Sequence, residues 1–287
     1  MTTINDSVHW SAELGGGTRV ALIQAGRFRS DAGALLGVVP RTMWNHLVED
    51  EIDADHRLLQ ALNCLLVETP AGRVLVETGI GDRITEKARA MRSYEGPWIL
   101  PALEAAGFDR GSVDAVAVSH LHYDHAGGVL RPDGSLAFPR AKFVAQLAEW
   151  EMATGSNPRL VAAYDQPELS LIRDLGLRHA AEGEAEIIPG VFVVPTGGHS
   201  GGHQAVLIRG ADRTVAFLGD LFMRPWNANP KWVTAFDDFP LHSVTVKTEL
   251  FARAADEDWT IVLSHEPWHP IGHLVRNRDR YTFEAGE

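Results

Sequence analysis

Short runs rich in apolar and β-branched residues recur along this chain, and stretches with helical spacing lie between them. Strands are expected at residues 18–24, at Cys64-Leu65-Leu66-Val67-Glu68, at Val74-Leu75-Val76-Glu77-Thr78, at residues 113–118 and at Phe143-Val144-Ala145. A second set follows at Val191-Phe192-Val193-Val194, Ala205-Val206-Leu207-Ile208, Thr214-Val215-Ala216-Phe217-Leu218 and Ile261-Val262-Leu263. The link Thr69-Pro70-Ala71-Gly72 carries proline second and glycine fourth, as a type I turn prefers, so the two runs around it should form a hairpin. Helical spacing covers residues 98–106, 146–153, 160–175 with an interruption near Pro167, and 241–255. Strands lead each half and helices separate them, which predicts an α/β (α+β) chain with two sheets face to face and helices outside. No repeat, low-complexity tract or linker marks a boundary, so residues 1–287 are expected to form a single domain. Residues 25–60, with Gly33, Gly37, Pro40 and Trp44, are the least regular part and read as a cap or insertion beside a site.

Composition narrows the class. A chain of 287 residues buries on the order of 75% of its unfolded surface, so it needs no disulfide staples. Its single cysteine, Cys64, lies in an apolar run and reads as a small buried hydrophobe. With 26 basic against 38 acidic residues the formal charge is −12, which repels phosphate backbones and argues against a nucleic-acid partner. The amino terminus lacks a cationic start followed by an apolar core, and no apolar stretch reaches the roughly 20 residues of a membrane span. A soluble cytoplasmic protein with no membrane partner is therefore expected.

The chemistry is concentrated in Ser119-His120-Leu121-His122-Tyr123-Asp124-His125-Ala126-Gly127-Gly128. Neutral imidazole nitrogens and carboxylate oxygens are ligands for zinc and its borderline neighbours, whereas crowded histidines without a cation are a desolvation liability. In extended backbone His120, His122 and Asp124 would share one side, and the small residues Ala126-Gly127-Gly128 are expected to supply the turn that brings His125 in. Three later segments repeat one design, a strand that ends on a candidate ligand: His199 after residues 191–194, Asp220 after Phe217-Leu218-Gly219, and His265 after Val262-Leu263-Ser264. A two-metal centre needs about seven protein ligands, one of them an anionic oxygen able to bridge, and His120, His122, Asp124, His125, His199, Asp220 and His265 meet that need. His203, four residues after His199, reads either as a ligand's support or as a hydrogen-bonded loop residue, and His269 and His273 as peripheral.

With these motifs in hand, the chain resembles the metallo-β-lactamase superfamily, whose His-x-His-x-Asp-His run followed by a distal His, Asp and His is matched in type and order. The resemblance implies a four-layer αββα sandwich, with His120, His122 and His199 on one metal, Asp124, His125 and His265 on a second, and Asp220 between them. A narrower similarity, carried by residues 33–40, 196–203 and 232–239, is to quorum-quenching N-acyl homoserine lactone lactonases. Some lactonases place a tyrosine shortly after the bridging aspartate, where this chain has Leu221-Phe222-Met223-Arg224-Pro225-Trp226. The expected function is a metal-dependent hydrolase that uses a hydroxide bridging two divalent ions, zinc first with iron, manganese or cobalt as alternatives, to open such lactones. Asp124 is the expected proton shuttle, and Trp44, Trp226, Trp232 and Trp268 are candidates for a substrate wall. The same site could serve a phosphotriester, aryl ester or thioester, and a non-catalytic metal-containing sensor is the contrasting class. The partner is thus a small molecule, and a homodimer is compatible with the chain.

Overall fold

The computed structural model describes residues 8–160, 162–175, 178–278 and 280–286. Two seven-stranded sheets organise them. The first runs in sequence order through β1 (Trp10–Glu13), β2 (Arg19–Asp31), β3 (Arg57–Thr69), β4 (Gly72–Val76), β5 (Ala115–Ala117), β6 (Lys142–Gln146) and β7 (Arg178–Ala181). Strands β1 to β4 pair antiparallel, with the β3–β4 hairpin closing at Thr69 opposite Gly72, and β4 to β7 pair parallel. The second sheet holds β8 (Ala185–Ile188), β9 (Val191–Pro195), β10 (Gln204–Arg209), β11 (Thr214–Phe217), β12 (Thr260–Val262), β13 (Ile271–Asn277) and β14 (Arg280–Ala285). Among the described residues only β11 and β12 pair parallel there.

Helices form the outer layers: α1 (Ala32–Leu36), α2 (Arg41–Val48), α3 (Glu86–Arg92), α4 (Ile99–Ala105), α5 (Tyr123–Ala126), α6 (Leu147–Ala153), α7 (Gln166–Asp174) and α8 (Pro240–Asp256). Alternation along the strands sends one set of side chains between the sheets and the other against helices. Val20, Val67, Val74 and Val144 of the first sheet meet Val193, Val206, Val215 and Phe217 of the second in one buried cluster. On the far side of the first sheet Phe143, Leu75 and Val116 pack with Ile99, Leu103 and Trp150 of the helices. On the far side of the second, Leu207, Ala216 and Ile261 pack with Leu250, Phe251 and Ala254 of α8. The layers are therefore helix, sheet, sheet, helix.

Several sequence expectations change. Pro167 sits in the first turn of α7, which begins at Gln166, rather than interrupting a longer helix, because proline's missing N–H costs nothing there, and residues 160 and 162–165 lie outside it. Residues 25–60 are more regular than expected: β2 extends through a register shift between Gln24 and Arg27 as far as Asp31, and β3 begins at Arg57. Between these strands α1 and α2 bury Leu35, Leu36, Trp44 and Val48 in a small cluster with Leu58 and Met223. The hairpin of β13 and β14 was not anticipated, since Ile271-Gly272-His273-Leu274 and the charged residues after it lack a clean two-residue period. Among the described residues no helix is long and apolar enough to cross a membrane.

Candidate metal centre

The candidate ligands sit on the loops that leave the carboxyl ends of β5, β9, β11 and β12, and these ends gather at one edge of the two sheets. Backbone and side-chain bonds across the sheets fix that edge. Gln204 at the start of β10 donates its N–H to the Ser119 carbonyl at 2.8 Å and its side-chain amide to Val118 at 2.7 Å. The side-chain amide of Asn63 in β3 donates to the carbonyls of Leu263 and Glu266 on either side of His265, at 2.9 and 2.8 Å.

The turn in the His-rich run comes earlier than the glycines. His122 is the N-cap of α5, so the extended stretch ends there and Asp124 and His125 lie on the helix. Helical spacing, rather than the glycine pair, brings His125 around to the other candidates.

All seven candidate ligands converge. His120 Nε2 and His199 Nε2 lie 2.8 and 3.2 Å from His122 Nδ1, an arrangement of three buried imidazoles that could hold one ion. Asp124, His125 and His265 form a second such group, with the Nε2 atoms of His125 and His265 at 3.9 and 3.8 Å from the Asp124 carboxylate. Asp220 lies between the groups. Its Oδ1 is 3.2 Å from His125 Nε2 and 3.1 Å from His265 Nε2, and its Oδ2 is 3.5 Å from His199 Nε2.

The far nitrogens of these rings are already engaged. Nδ1 of His120 meets Ser119 Oγ at 3.0 Å, that of His125 meets Glu77 Oε2 at 3.3 Å, that of His199 meets Asp237 Oδ1 at 3.0 Å, and that of His265 meets the Ala61 carbonyl at 2.8 Å. Each Nε2 is left as a lone-pair donor aimed inward, as outer partners of metal-bound histidines arrange. His125 Nε2 is buried and, among the described residues, faces only the carboxylates of Asp220 and Asp124, at 3.2 and 3.9 Å, a setting a cation would satisfy. The donor set therefore fits divalent metal ions.

Electrostatics agree. Burial, reinforced by the neighbouring imidazoles, holds His120 and His122 well below the usual histidine range, so both rings are neutral at pH 7. Burial also opposes charge on His125, but Asp220, Glu77 and Asp124 outweigh it and raise that ring's affinity for positive charge. Burial works against the Asp220 carboxylate too, and the rings of His125 and His265 overcome it and hold the group well below its ordinary value.

Supporting residues were missed by sequence reading. Glu77 leaves β4 with φ of 66°, a left-handed conformation costly for a side-chain-bearing residue, and accepts the Ser119 N–H at 2.8 Å while facing His125. Glu149 on α6 accepts from the Leu121 N–H, the Tyr164 hydroxyl, the Ser200 hydroxyl and the Gly202 N–H, at 3.0, 3.1, 2.6 and 3.1 Å. It thus ties the His120 loop to the His199 loop. Asp237 accepts from Thr234 Oγ1 at 2.8 Å as well as facing His199. His203 joins both of its alternative readings: its Nδ1 meets Thr196 Oγ1 at 2.6 Å and its Nε2 accepts the Asp220 N–H at 3.2 Å. Burial and the His199 charge push His203 down to about 3, so it stays neutral and able to accept that bond. His273 pairs instead with Asp258 at the surface, 3.1 Å away, and the His269 N–H bonds to Glu266.

A cavity of about 420 Å³ opens over the centre, lined by His122, Asp124, His199, Asp220 and His265 and by Phe28, Leu35, Leu160, Ala163, Met223 and Phe236 among others. The four tryptophans do not line it. Trp44 is buried with its Nε1 donating to Val39, Trp226 and Trp232 pack against the same cluster of α1 and α2, and Trp268 is half exposed beside Arg224. Three of these large rings thus close the small core around α1 and α2 rather than facing the site.

Comparison with known proteins places this arrangement. A curated N-acyl homoserine lactonase of Bacillus sp. is 30% identical over 156 residues, 50% of this chain and 57% of that protein, so the match spans little more than half the length of such relatives. A probable metallo-hydrolase of Mycobacterium tuberculosis is 27% identical over 241 residues, covering 72% of this chain and 76% of that one. Among solved structures, a probable metal-dependent hydrolase from Staphylococcus aureus superposes with a TM-score of 0.87 at 23% identity, over 96% of this chain and 99% of that one. AidC, described as a dizinc quorum-quenching lactonase, gives 0.82 at 20% identity over 97% of each chain. At these identities the structural likeness is one of fold. The sequence model of the metallo-beta-lactamase superfamily matches residues 59–265, from β3 through the last of the converging histidines, and the chain belongs to that superfamily.

Proposed function

We propose that this chain is a dinuclear metallo-hydrolase that opens the lactone ring of N-acyl homoserine lactones or related lactones. The observation that carries the reading is the orientation of Asp220, whose two carboxylate oxygens face two different ligand groups. His120, His122 and His199 would hold one ion, Asp124, His125 and His265 the other, and Asp220 would serve both. When bound, such a pair supplies Lewis acidity and a hydroxide nucleophile at neutral pH, with zinc the first candidate and iron, manganese or cobalt compatible with the same ligands.

The protein's own groups do the remainder. The outer acceptors on His120, His125, His199 and His265 fix ring orientation before substrate arrives. Asp124, on the cavity wall, takes up the proton released on attack and returns it to the ring oxygen as the C–O bond breaks. The apolar wall from Phe28, Leu35, Leu160 and Met223 accommodates an acyl chain and excludes water. We further propose that the chain folds as one domain with residues 25–60 as its cap, since Phe28, Ser30, Leu35 and Gln60 of that segment line the cavity.

Metal analysis and a substrate panel test this together. Zinc-loaded protein should carry about two ions per chain and release acid from N-hexanoyl homoserine lactone. Asp220→Ala should lose metal and at least about 100-fold in kcat/KM, beyond the usual effect of an outer-shell change. Full turnover by a metal-depleted Asp220→Ala variant would overturn the reading. The stretch 221–226, where some lactonases carry a hydrogen-bonding tyrosine, offers the cavity wall the apolar Met223, which favours a wider ester range, so aryl ester, thioester and phosphotriester belong in the panel. Phenol release from a phosphotriester outpacing lactone opening would replace the lactone assignment, and silence across the panel at full metal would favour a sensor.

A further inference from the structure

Arg92, the last residue of α3, lines the catalytic cavity with its guanidinium carbon 4.2 Å from the centre of the Tyr123 ring. Tyr123 stands in the chain between two candidate ligands, His122 and Asp124, and Arg92 lines the same cavity as both. The other lining arginine, Arg159, is 3.5 Å from Asp238 and donates to the Ala235 carbonyl at 3.2 Å. Asp124 and Asp220 face the imidazoles. Among the described lining arginines and carboxylates, Arg92 has no oppositely charged side chain within 4.0 Å.

A second cavity, about 200 Å³, shares Arg92, Tyr123 and Ala162 with the first as a common wall. Arg83 lines it, 3.8 Å from the buried Glu168. Burial pushes the Glu168 carboxyl up to about 8, so it offers Arg83 little negative charge at neutral pH. Asp165 also lines this space, its Oδ1 accepting the Glu168 N–H at 3.1 Å, and it forms no ion pair within 4.0 Å with Arg83 or Arg92 among the described residues. A guanidinium keeps its charge at any working pH and presents a planar fork that matches a carboxylate. In a chain of net charge −12, a cation without a counter-charge on the wall of the reaction cavity is a local exception that calls for an anion from outside.

We propose that Arg92 is a specificity residue that receives an anionic group on the far end of the substrate's acyl chain. The proposal rests on the hydrolase reading above, and it narrows the substrate from an alkyl-tailed lactone or ester to one whose tail ends in an anion, a carboxylate above all. The anion lies at the junction of the two cavities, and the scissile carbonyl lies at the metal centre.

Two lactones of equal chain length test it, N-adipoyl and N-hexanoyl homoserine lactone, assayed with zinc-loaded enzyme. Wild type should favour the adipoyl compound by about tenfold or more in kcat/KM, mainly through KM, as one charge-assisted contact warrants. Arg92→Gln should lose most of that ratio, whatever its overall turnover, and Arg92→Lys should recover part of it. A wild-type preference for the hexanoyl compound, or a ratio unchanged in Arg92→Gln, overturns the proposal. A binding arm separates this outcome from failure of the lactonase reading: hexane-1-sulfonate, a poor metal ligand, against 1-hexanol, followed by calorimetry. Selective binding of the sulfonate to wild type and its loss in both Arg92→Gln and Arg92→Glu support the anion site even if neither lactone is opened. Equal binding to all three proteins refutes it.

Discussion

At the scale of single residues, the carboxylates that touch no substrate decide how well the inward-facing nitrogens are aimed. Asp237 accepts from His199 Nδ1 and is itself fixed by Thr234, so its loss frees the ring to rotate and to change tautomer. Burial opposes charge on His199, but the Asp237 hydrogen bond and the Asp220 carboxylate outweigh it and make the ring more basic than an ordinary histidine. Asp237→Ala should weaken zinc binding by about 10- to 100-fold, measured by competition with a chelator, while Asp237→Asn should fall between the two. An unchanged affinity would make Asp237 a structural residue only. The seven converging side chains were legible in the sequence because histidine and aspartate crowd at the ends of apolar runs. Asp237, Glu77 and Glu149 were not, because a lone carboxylate at Phe236-Asp237 or Trp150's neighbour Glu149 looks like any solvated acid until the fold buries it.

At the scale of elements, the short turns after the strands carry the strain that brings ligands together. Gly219 joins β11 to Asp220 with φ of 53°, and a Cβ there would stand 2.5 Å from His203 Nε2 and 2.6 Å from the Ser119 Cβ. Gly219→Ala therefore combines a left-handed backbone penalty with a clash against the ring that accepts the Asp220 N–H. A loss of about 2 kcal/mol or more in unfolding free energy is expected, read from the urea midpoint, together with weakened metal binding. A stability within about 0.5 kcal/mol of wild type would show that the turn has a second conformation open to it. The strands bearing these turns were readable from their β-branched runs, and α8 from its spacing. The start of α5 at Tyr123 was not, since His122 carries no side-chain capping bond and the alternating sequence before it looks extended.

At the scale of the whole molecule, the helix layer behind the second sheet also holds the wall of the site. Lys247 of α8 is buried and donates its Nζ to the Trp232 carbonyl at 2.8 Å, anchoring the segment that continues to Asp237. Burial, only partly offset by the charge of Asp237, pushes this lysine down to about 7. Between that value and the ordinary 10.5 the unfolded chain binds the proton that the folded chain has lost, so stability contributed at this position rises with pH and is lost again as pH falls toward 7. Unfolding of wild type and Lys247→Met at pH 7 and pH 9.5 should show the difference between them moving in favour of wild type at the higher value. A difference that does not vary with pH would mean that Lys247 stays charged in the fold. The sequence by itself determined the ligand types, their order at strand ends and the layered class, because apolar periodicity and the chemistry of imidazole and carboxylate are local properties. Only the tertiary structure decided that Asp220 faces two groups, that Trp44, Trp226 and Trp232 pack in the small core around α1 and α2 instead of the cavity, and that Arg92 lines that cavity with no ion-pair partner among the described residues. Direction and burial depend on which distant elements close over a side chain, and those pairings span residues that have no mark of one another in the chain.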